Sequence, residues 1–356
     1  MKIILDAMSG DNAPLEIIKG AEQAMQEYPV DIVLVGQEEI IRSVASDNGI
    51  DLDGIEIVDA PDIISMEDRA LAVIKEKKES SMSVGLHMLM QGEGDAFVSA
   101  GNTGALLAGA TLLVRRIRGI HRAAITTIMP FPCPVLLMDS GANLVVTPED
   151  LEQFAAMGSV YMEKIYGIRS PRVGLLNNGT ESTKGLPLQV EAYKLLSESK
   201  DINFIGNVEA KELPFGVCDV IVTDGFTGNI VLKFLEGMGK MMVGLLKDIF
   251  MSNALTKVSA LAMKGKLKSI KKNFDASEHG GAPLLGISSP VIKAHGSSDA
   301  NAIKHAVRQA MTFVHTGINI DIAKLADEFD RRAREAKEAK AKAESAGQSV
   351  ASSASN

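Results

Sequence analysis

Short apolar runs recur along the chain, and most of them are unbroken rather than alternating with polar residues. Runs of this kind are typical of strands that are buried on both faces of a parallel sheet. Helical patterns lie between the runs, which predicts a three-layer α/β/α fold with a mostly parallel sheet. The predicted strands span residues 3–5, 32–35, 55–58, 97–99, 124–129, 135–138, 173–176, 202–205 and 220–223.

Two helix starts are marked by proline next to a capping residue. Pro14 follows Asn12, a candidate N-cap, and Pro148 follows Thr147, with two acidic residues in the next turn. Proline is favoured in the first turn of a helix, and acidic side chains there interact well with the helix dipole. Helices are therefore predicted to begin close to residues 14 and 148.

Two segments depart from this alternation. Residues 245–274 carry apolar residues at helical spacing beside several lysines, which predicts a protruding pair of amphipathic helices. Residues 329–356 are rich in Ala, Lys, Glu and then Ser, with few apolar side chains to pack, so we expect a frayed helix and a disordered tail. The remainder, residues 1–328, is predicted to be a single catalytic domain.

Composition excludes several classes of function. The net charge is −8 and tryptophan is absent, so the chain offers little to a nucleic acid. No apolar run reaches the roughly 18 residues that span a bilayer, and the amino terminus lacks the pattern of a signal peptide. We therefore expect a cytoplasmic protein. No His stands in a zinc-like spacing with either cysteine, so no metal or cofactor is expected.

Loops rich in Gly, Ser, Thr, Asn and Asp follow the predicted strands. Residues 95–104 and 219–228 echo each other, because each is an apolar run that leads through a Gly-rich turn into a helical pattern. Such turns let a backbone approach an oxyanion, with helix N–H groups pointing at it. Ligands of α/β sheets bind beyond the carboxyl ends of strands. The loops therefore predict an anion site at one rim of the sheet.

Familiar phosphate and nucleophile motifs are missing from these loops. The chain has no P-loop, no Gly-x-Gly-x-x-Gly after the first strand and no nucleophile elbow. Lys184 is a cation that could hold phosphate or a developing oxyanion, or else a solvated lysine at a helix start. Asn229 could donate to an anion or cap a helix. His279 and His295 are either turn residues or acid–base groups.

Six segments together mark a family. They are Asp6-Ala7-Met8-Ser9-Gly10-Asp11, Ser99-Ala100-Gly101-Asn102-Thr103-Gly104-Ala105, Asp139-Ser140-Gly141-Ala142-Asn143, Asn177-Asn178-Gly179-Thr180-Glu181, Thr223-Asp224-Gly225-Phe226-Thr227-Gly228-Asn229 and Gly280-Gly281-Ala282-Pro283-Leu284-Leu285-Gly286. Through them the chain resembles the bacterial phosphate acyltransferase family, PlsX, from residue 2 to about residue 321. Ser9 departs from the family pattern, which usually has glycine there.

The resemblance implies that acyl-ACP and inorganic phosphate give acyl phosphate and free acyl carrier protein (ACP), for phospholipid synthesis. It also implies a homodimer with an isocitrate-dehydrogenase/phosphate-acetyltransferase-like sheet. Phosphate is the nucleophile, so positioning and oxyanion stabilisation suffice without a covalent enzyme intermediate. We expect Lys184 and Asn229 to be catalytic. The expected substrate pocket comprises Asp6, Gly10, Gly101, Asn102, Thr103, Gly104, Asp139, Asn143, Asn177, Gly179, Glu181, Asp224, Gly225, Thr227, Gly228, His279 and Gly280.

The implied partners predict two further surfaces. ACP is acidic, so its dock should be basic, either the lysines of residues 264–272 or four arginines. Residues 245–274 can form a dimer contact, a contact with an anionic membrane or an acyl-chain channel. The four arginines are Arg115, Arg116, Arg118 and Arg122, and the expected membrane residues are Leu255, Val258, Leu261, Lys264 and Lys266.

Three rival functions share some of these features. A decarboxylating dehydrogenase has the same class of sheet but needs a cluster of metal-binding aspartates, which the spacing does not show. A phosphate acetyltransferase that uses acyl-CoA is chemically closer. A non-catalytic scaffold at the membrane surface would use residues 245–274 and would leave the polar loops unexplained.

Overall fold

The computed structural model describes residues 1–252, 280–332 and 334–335. The strands in this part of the chain are β1 (Lys2–Asp6), β2 (Asp31–Gly36), β3 (Glu56–Asp59), β4 (Ala96–Ser99), β5 (Ala124–Met129), β6 (Val135–Met138), β7 (Arg172–Asn177), β8 (Asn203–Glu209), β9 (Val220–Val222), β10 (Ala282–Leu285) and β11 (Val291–Lys293). They form one sheet in the order β3-β2-β1-β4-β11-β10-β5-β6-β9-β7-β8.

Helices cover both faces of this sheet. The helices discussed below are α1 (Leu15–Glu27), α2 (Glu38–Asn48), α3 (Ala72–Lys75), α4 (Ser81–Gln91), α5 (Thr103–Gly109), α6 (Pro148–Tyr166), α7 (Pro187–Glu198), α8 (Gly225–Met251) and α9 (Ala300–Thr316). Clusters of buried apolar residues place α1, α2, α6, α7 and α9 on one face, and α3, α4, α5 and α8 on the other. The predicted three-layer α/β/α fold is confirmed.

All nine predicted strands are present, within one or two residues except at the carboxyl end of β8. Two short strands, β10 and β11, were not predicted, because they have four and three residues between segments rich in Gly, Pro and Ser. Most strand pairs are parallel, as expected, but the pairs β11–β10, β10–β5 and β5–β6 are antiparallel.

These antiparallel pairs correct the expectation of a site at one rim. Three antiparallel pairs lie between β4 and β6 in the sheet, and each of them reverses the strand direction. As a result, β1 and β4 point in the opposite direction to β6, β7 and β9. The loops after β1, β4 and β11 consequently leave from one rim of the sheet. The loops after β6, β7 and β9 leave from the opposite rim.

Strand β10 changes its partner halfway along its length. Ala282 and Pro283 pair with β11, whereas Leu284 and Leu285 pair with β5. Opposite Pro283, the Thr126 hydroxyl donates to the Pro283 carbonyl at 3.1 Å, so a side chain makes the contact there. The sheet therefore opens between β10 and β5 on the amino-terminal side of Leu284.

Local sequence signals explain where α6 and α1 begin. The Thr147 hydroxyl accepts from the main-chain N–H of Asp150 at 3.2 Å, and the Asp150 carboxylate accepts from Thr147 in return. This capping box confirms the predicted start of α6. Helix α1 begins at Leu15, as expected, but Asn12 does not cap it. The Asn12 amide donates instead to two carbonyls of residues 297–298.

The predicted helix pair at residues 245–274 can be followed only in part. Residues 245–251 continue α8, which begins at Gly225, so they do not start a separate helix. Residues 253–279 lie outside the described part of the chain, and with them lie the expected membrane residues Leu255, Val258, Leu261, Lys264 and Lys266, together with His279.

The carboxyl-terminal part of the chain is described as far as a helix over residues 318–332. Most of the predicted tail lies beyond it, so the domain limits stay a prediction. Within the described ranges, none of the helices combines the length and the apolar character needed to cross a bilayer.

Candidate functional site

A cavity of about 490 Å³ lies where β10 and β5 separate. On one side it is bounded by α8, and it extends to α6 and α9 on the other face of the sheet. Loops from both rims reach its mouth, because α8 runs from the rim of β9 towards the loop after β11. The polar side chains at the mouth include Asp11, Thr103, Asn229, Lys233, Lys293 and His295.

Lys293 is a buried cation in the wall of this cavity. It alternates with Ile292, which packs with α1 and α9, so Lys293 lies on the α8 face of the sheet. Only 8% of the residue is exposed. Its ammonium donates to the main-chain carbonyls of Ala100, at 3.2 Å, and Ala294.

The environment of Lys293 disfavours its charge. Burial lowers the pKa of the ammonium to about 8, and the negative charges of Asp6 and Asp11 oppose this effect. An amine with such a pKa is close to its titration point at neutral to mildly alkaline pH, so an anion that enters the cavity would favour the charged form. Lys293 is therefore the group in the cavity that an anionic ligand would stabilise, whereas Asp11 and Glu236, which also line the cavity, would oppose such a ligand.

His295 lies two residues further on, at the mouth. Its Nδ1 accepts from the main-chain N–H of Ser297 at 3.2 Å and lies 2.9 Å from the Ser297 hydroxyl. Acceptance at Nδ1 places the proton of the neutral ring on Nε2. Burial lowers the pKa of the imidazole, and the charges of Lys233 and Lys293 act in the same direction. His295 is thus a neutral hydrogen-bond donor at neutral pH.

Asn229 reaches the cavity from the first turns of α8. Asp224 caps this helix, and its carboxylate accepts from both the N–H and the hydroxyl of Thr227, each at 2.8 Å. A methyl group at Gly228 would lie 1.9 Å from the Asp139 carbonyl, so glycine is needed for the helix to pack here. The close approach brings the loop after β6 next to Asn229.

Asp139 organises that loop. Its carboxylate accepts from the N–H groups of Gly141, at 3.0 Å, Ala142, at 2.9 Å, and Asn143, at 2.7 Å. Burial raises the pKa of Asp139, and these hydrogen bonds act against the increase. Asp139 is not part of the cavity lining, so its carboxylate holds the loop in shape.

Asp6 plays the same part at the opposite rim. It accepts from the hydroxyls of Ser81, at 2.6 Å, and Ser99, at 2.7 Å, and it is buried. Burial raises the pKa of this carboxyl, while the serine hydrogen bonds lower it. Nearby, Asn102 caps α5 and donates to three carbonyls of residues 65–68. These side chains position the loop that carries Thr103 to the cavity.

Lys184 lies in a loop that folds on itself. The Asn177 amide donates to the Lys184 carbonyl at 3.1 Å, and the Asn207 amide donates to the Glu181 carbonyl at 2.8 Å. Gly179 packs against the side chains of Glu181 and Lys184. The loop leaves from the same rim as α8, but Lys184 is exposed and is not among the residues that line the cavity.

The structure thus brings together only part of the expected pocket. Among the expected residues, Thr103 and Asn229 line the cavity, and Gly280 directly precedes the lining residue Gly281. The sequence analysis missed Lys293, because the three-residue strand that carries it was not predicted. A lysine that closes an apolar run just before Ala294-His295-Gly296 was the available signal. The described residues also contain no cluster of three or more side chains suited to hold a metal.

Comparisons with known proteins agree with this architecture. The protein family described as fatty acid synthesis protein matches residues 1–320. A phosphate acyltransferase from Thermoanaerobacter pseudethanolicus is 46% identical over 320 residues, which cover 89% of this chain and 95% of that protein. A phosphate acyltransferase from Clostridioides difficile is 42% identical over 332 residues, covering 93% and 97%.

Solved structures show the same fold at much lower identity. A phosphotransacetylase from Streptococcus pyogenes aligns with a TM-score of 0.61 and 17% identity, covering 89% of this chain and 94% of that one. A 4-hydroxythreonine-4-phosphate dehydrogenase from Klebsiella pneumoniae aligns with a TM-score of 0.54 and 13% identity, covering 88% and 99%.

Proposed function

The chain belongs to the phosphate acyltransferase family, and we infer from this that it is an enzyme that makes acyl phosphate for phospholipid synthesis. The donor is an acyl thioester and the acceptor is inorganic phosphate. We propose that the reaction takes place at the mouth of the cavity between α8 and β11. The observation that carries this placement is the buried ammonium of Lys293 in the wall of a cavity that Asn229 also lines.

The reaction needs few groups from the protein. A phosphate oxygen attacks the thioester carbonyl carbon and forms the new C–O bond. The tetrahedral intermediate then expels the thiolate as the C–S bond breaks. The proton of hydrogen phosphate passes to the thiolate, so the products are acyl phosphate and a free thiol. A thiol has a pKa of roughly 8.5, so it leaves without strong acid assistance.

Lys293 and Asn229 are proposed as the groups that hold the reacting atoms. The Lys293 ammonium has three N–H donors and uses two on main-chain carbonyls, so one remains for a phosphate oxygen. The Asn229 amide and the Nε2–H of His295 are neutral donors for the oxyanion. Donors that are fixed before the substrate arrives stabilise such an oxyanion without further reorganisation.

Lys184 remains a proposed catalytic residue, now as a second cation. Its loop leaves from the rim that also carries the start of α8, and its side chain is exposed. A charge at this position would compensate the dianion during its passage to the cavity. This role differs from that of Lys293, which is buried in the cavity wall.

ACP is the proposed carrier of the acyl group. Arg115, Arg116, Arg118 and Arg122 are all exposed, which suits them to a contact with an acidic protein. Arg122 already has a partner within the chain, since its Nε donates to the Asp150 carboxylate at 3.1 Å. Electrostatic attraction of this kind speeds the encounter of the two proteins and weakens with salt.

A homodimer and a contact with an anionic membrane surface are proposed for the region around α8. Large apolar side chains on α8 are exposed, among them Phe226 at 60% and Phe234 at 69%. A helix with such a face is covered by another surface in many proteins. Analytical ultracentrifugation tests the dimer, and sedimentation with anionic vesicles tests the membrane contact. A monomer that stays in the supernatant would contradict both proposals.

One assay tests the proposed reaction. Purified acyl-ACP and the matching acyl-CoA are each incubated with the enzyme, and free thiol is measured with and without phosphate. We expect phosphate-dependent thiol release, faster with acyl-ACP. Replacing Arg115 and Arg116 by Glu should raise KM for acyl-ACP and leave KM for acyl-CoA unchanged. Equal rates with both carriers would contradict the ACP proposal, and no phosphate dependence would contradict the function itself.

A further inference from the structure

The cavity passes through the sheet. Side chains of a strand alternate between the two faces, yet four consecutive residues of β5, residues 125–128, line the same cavity. Thr127 pairs with Leu137, which packs in one cluster with Leu232 of α8. Ile128 belongs to the cluster of Tyr161 from α6, on the opposite face. The cavity therefore has a mouth on the α8 face and an inner end on the α6 face.

The change of partner along β10 creates this passage. Main-chain pairing between β10 and β5 begins at Leu284, and next to it the Thr126 hydroxyl donates to the Pro283 carbonyl. On the amino-terminal side of this point, Ala282 and Pro283 pair with β11 instead. The result is a slot between the two strands that ends where Thr126 contacts Pro283.

The walls of the slot are mostly apolar, in contrast to its mouth. Ile128, Pro283 and Ala302 line it, together with Thr126 and Thr127, whose hydroxyls are taken up by hydrogen bonds to the Pro283 carbonyl and the Ser140 hydroxyl. At the inner end the Gln309 amide donates to the Tyr161 hydroxyl at 3.2 Å. Tyr161 is 2% exposed, and burial raises the pKa of its phenol, so the ring is neutral.

We propose that this slot binds the hydrocarbon chain of the acyl donor, with the thioester at the mouth and the chain end at Tyr161 and Gln309. The proposal rests on the proposed acyl transfer and adds where the acyl chain lies. A mostly apolar passage favours a hydrocarbon chain, because every methylene group leaves water on entry. The polar amide of Gln309 marks the point where a longer chain would meet an unfavourable contact. The slot thereby limits the length of the acyl group.

Two substitutions should move this limit in opposite directions. Gln309→Ala lengthens the slot, and Ile128→Phe narrows it. Arg308→Ala is the matched control, because Arg308 neighbours Gln309 on α9 and is exposed. The readout is kcat/KM for butyryl, octanoyl and palmitoyl thioesters of one carrier. One poorly fitted methylene group changes such ratios by about tenfold or more.

For Gln309→Ala we expect the ratio of palmitoyl to octanoyl turnover to rise by about tenfold. For Ile128→Phe we expect it to fall similarly, while butyryl turnover is retained, which also shows that the variant is folded. Unchanged ratios in both folded variants would overturn the proposal. Loss of phosphate-dependent turnover by the unsubstituted enzyme with every donor would instead overturn the proposed function.

A second measurement locates the chain without relying on turnover. A palmitoyl thioester with a photoreactive diazirine at the chain end is irradiated with the enzyme, and the labelled peptides are identified. We expect labels on α6 and α9, near Tyr161 and Gln309. Labels confined to the exposed face of α8 would place the chain outside the slot and overturn the proposal.

Discussion

The ammonium of Lys293 donates a hydrogen bond of 3.2 Å to the main-chain carbonyl of Ala100. This bond joins the end of β11 to the loop after β4, and it fixes a positive charge inside the cavity. The same loop continues to Thr103, which also lines the cavity. A cation held by main-chain atoms loses little freedom when it binds an anion, so it is a well-prepared partner for phosphate.

The first prediction concerns the charge of this lysine. Lys293→Met keeps an apolar stem of similar length and removes the donor. A hydrogen bond to a charged group contributes roughly 1.5–3 kcal/mol. We therefore expect kcat/KM for phosphate to fall by about ten- to a hundredfold. Lys324→Met, an exposed position, is the control for the loss of one charge. An unchanged KM for phosphate in Lys293→Met would remove Lys293 from the site.

The second prediction follows from the lowered pKa of Lys293. The pKa falls from 10.5 to about 8 in the folded protein. Above pH 8 the amine loses its proton, so KM for phosphate should rise with pH. In Lys293→Arg the guanidinium stays charged, and this rise should disappear. The measurement is KM for phosphate between pH 7 and about pH 10. Parallel profiles for the two proteins would contradict the assignment.

The same shift predicts how stability depends on pH. Because the folded pKa is lower than the unfolded one, the unfolded chain binds more protons between pH 8 and pH 10.5. Below pH 8, burial of the charged amine lowers the free energy of unfolding by about 3 kcal/mol. The free energy of unfolding therefore increases by this amount as the pH rises from 8 to 10.5. Urea unfolding of Lys293→Met should lack this increase.

The third prediction concerns Asn229. Removal of one oxyanion donor typically lowers kcat by about a hundred- to a thousandfold. We expect Asn229→Ala to show such a loss with little effect on KM for phosphate. Asn48→Ala, on the exposed end of α2, is the control for loss of a helix amide. A wild-type kcat in Asn229→Ala would show that other groups stabilise the oxyanion.

Much of the architecture could be predicted, because unbroken apolar runs mark buried strands. The runs at residues 124–129 and 135–138 gave β5 and β6 with matching limits. The reversal of strand direction comes from the antiparallel pair β5–β6, whereas β10 is antiparallel to both of its neighbours and leaves β11 and β5 pointing the same way. The positions of β10 and β11 could not be predicted, because Ala282 and Pro283 carry no strong strand signal.

The sequence predicted the polar loops around the site, but it did not predict the roles of the charged residues. The family resemblance placed Asp6 and Asp139 among the expected substrate-binding residues. The structure uses both to hold loops in shape, which depends on hydrogen bonds to residues as distant as Ser81. Lys293 was not singled out because its strand, β11, has only three residues and was not predicted.

The fourth prediction keeps the sequence-based expectation for Lys184. Lys184→Ala should abolish turnover while the fold remains intact, and Lys184→Arg should restore part of it, because the charge is kept. Steady-state kinetics with circular dichroism spectra provide the measurement. Since Lys184 lies outside the cavity lining, near-normal turnover in Lys184→Ala would leave Lys293 as the principal cation.

The fifth prediction concerns the loop that Asp139 holds. Asp139→Asn replaces one carboxylate oxygen by an NH₂ group that cannot accept, so the bonds either from Gly141 and Ala142 or from Asn143 are lost. Loss of one or two such bonds costs about 2–4 kcal/mol. We expect a lower urea midpoint and a lower kcat, because the displaced loop packs against α8 beside Asn229. A fall in both the urea midpoint and kcat would support the positioning role. A fall in kcat with an unchanged urea midpoint would show instead that Asp139 contacts the substrate.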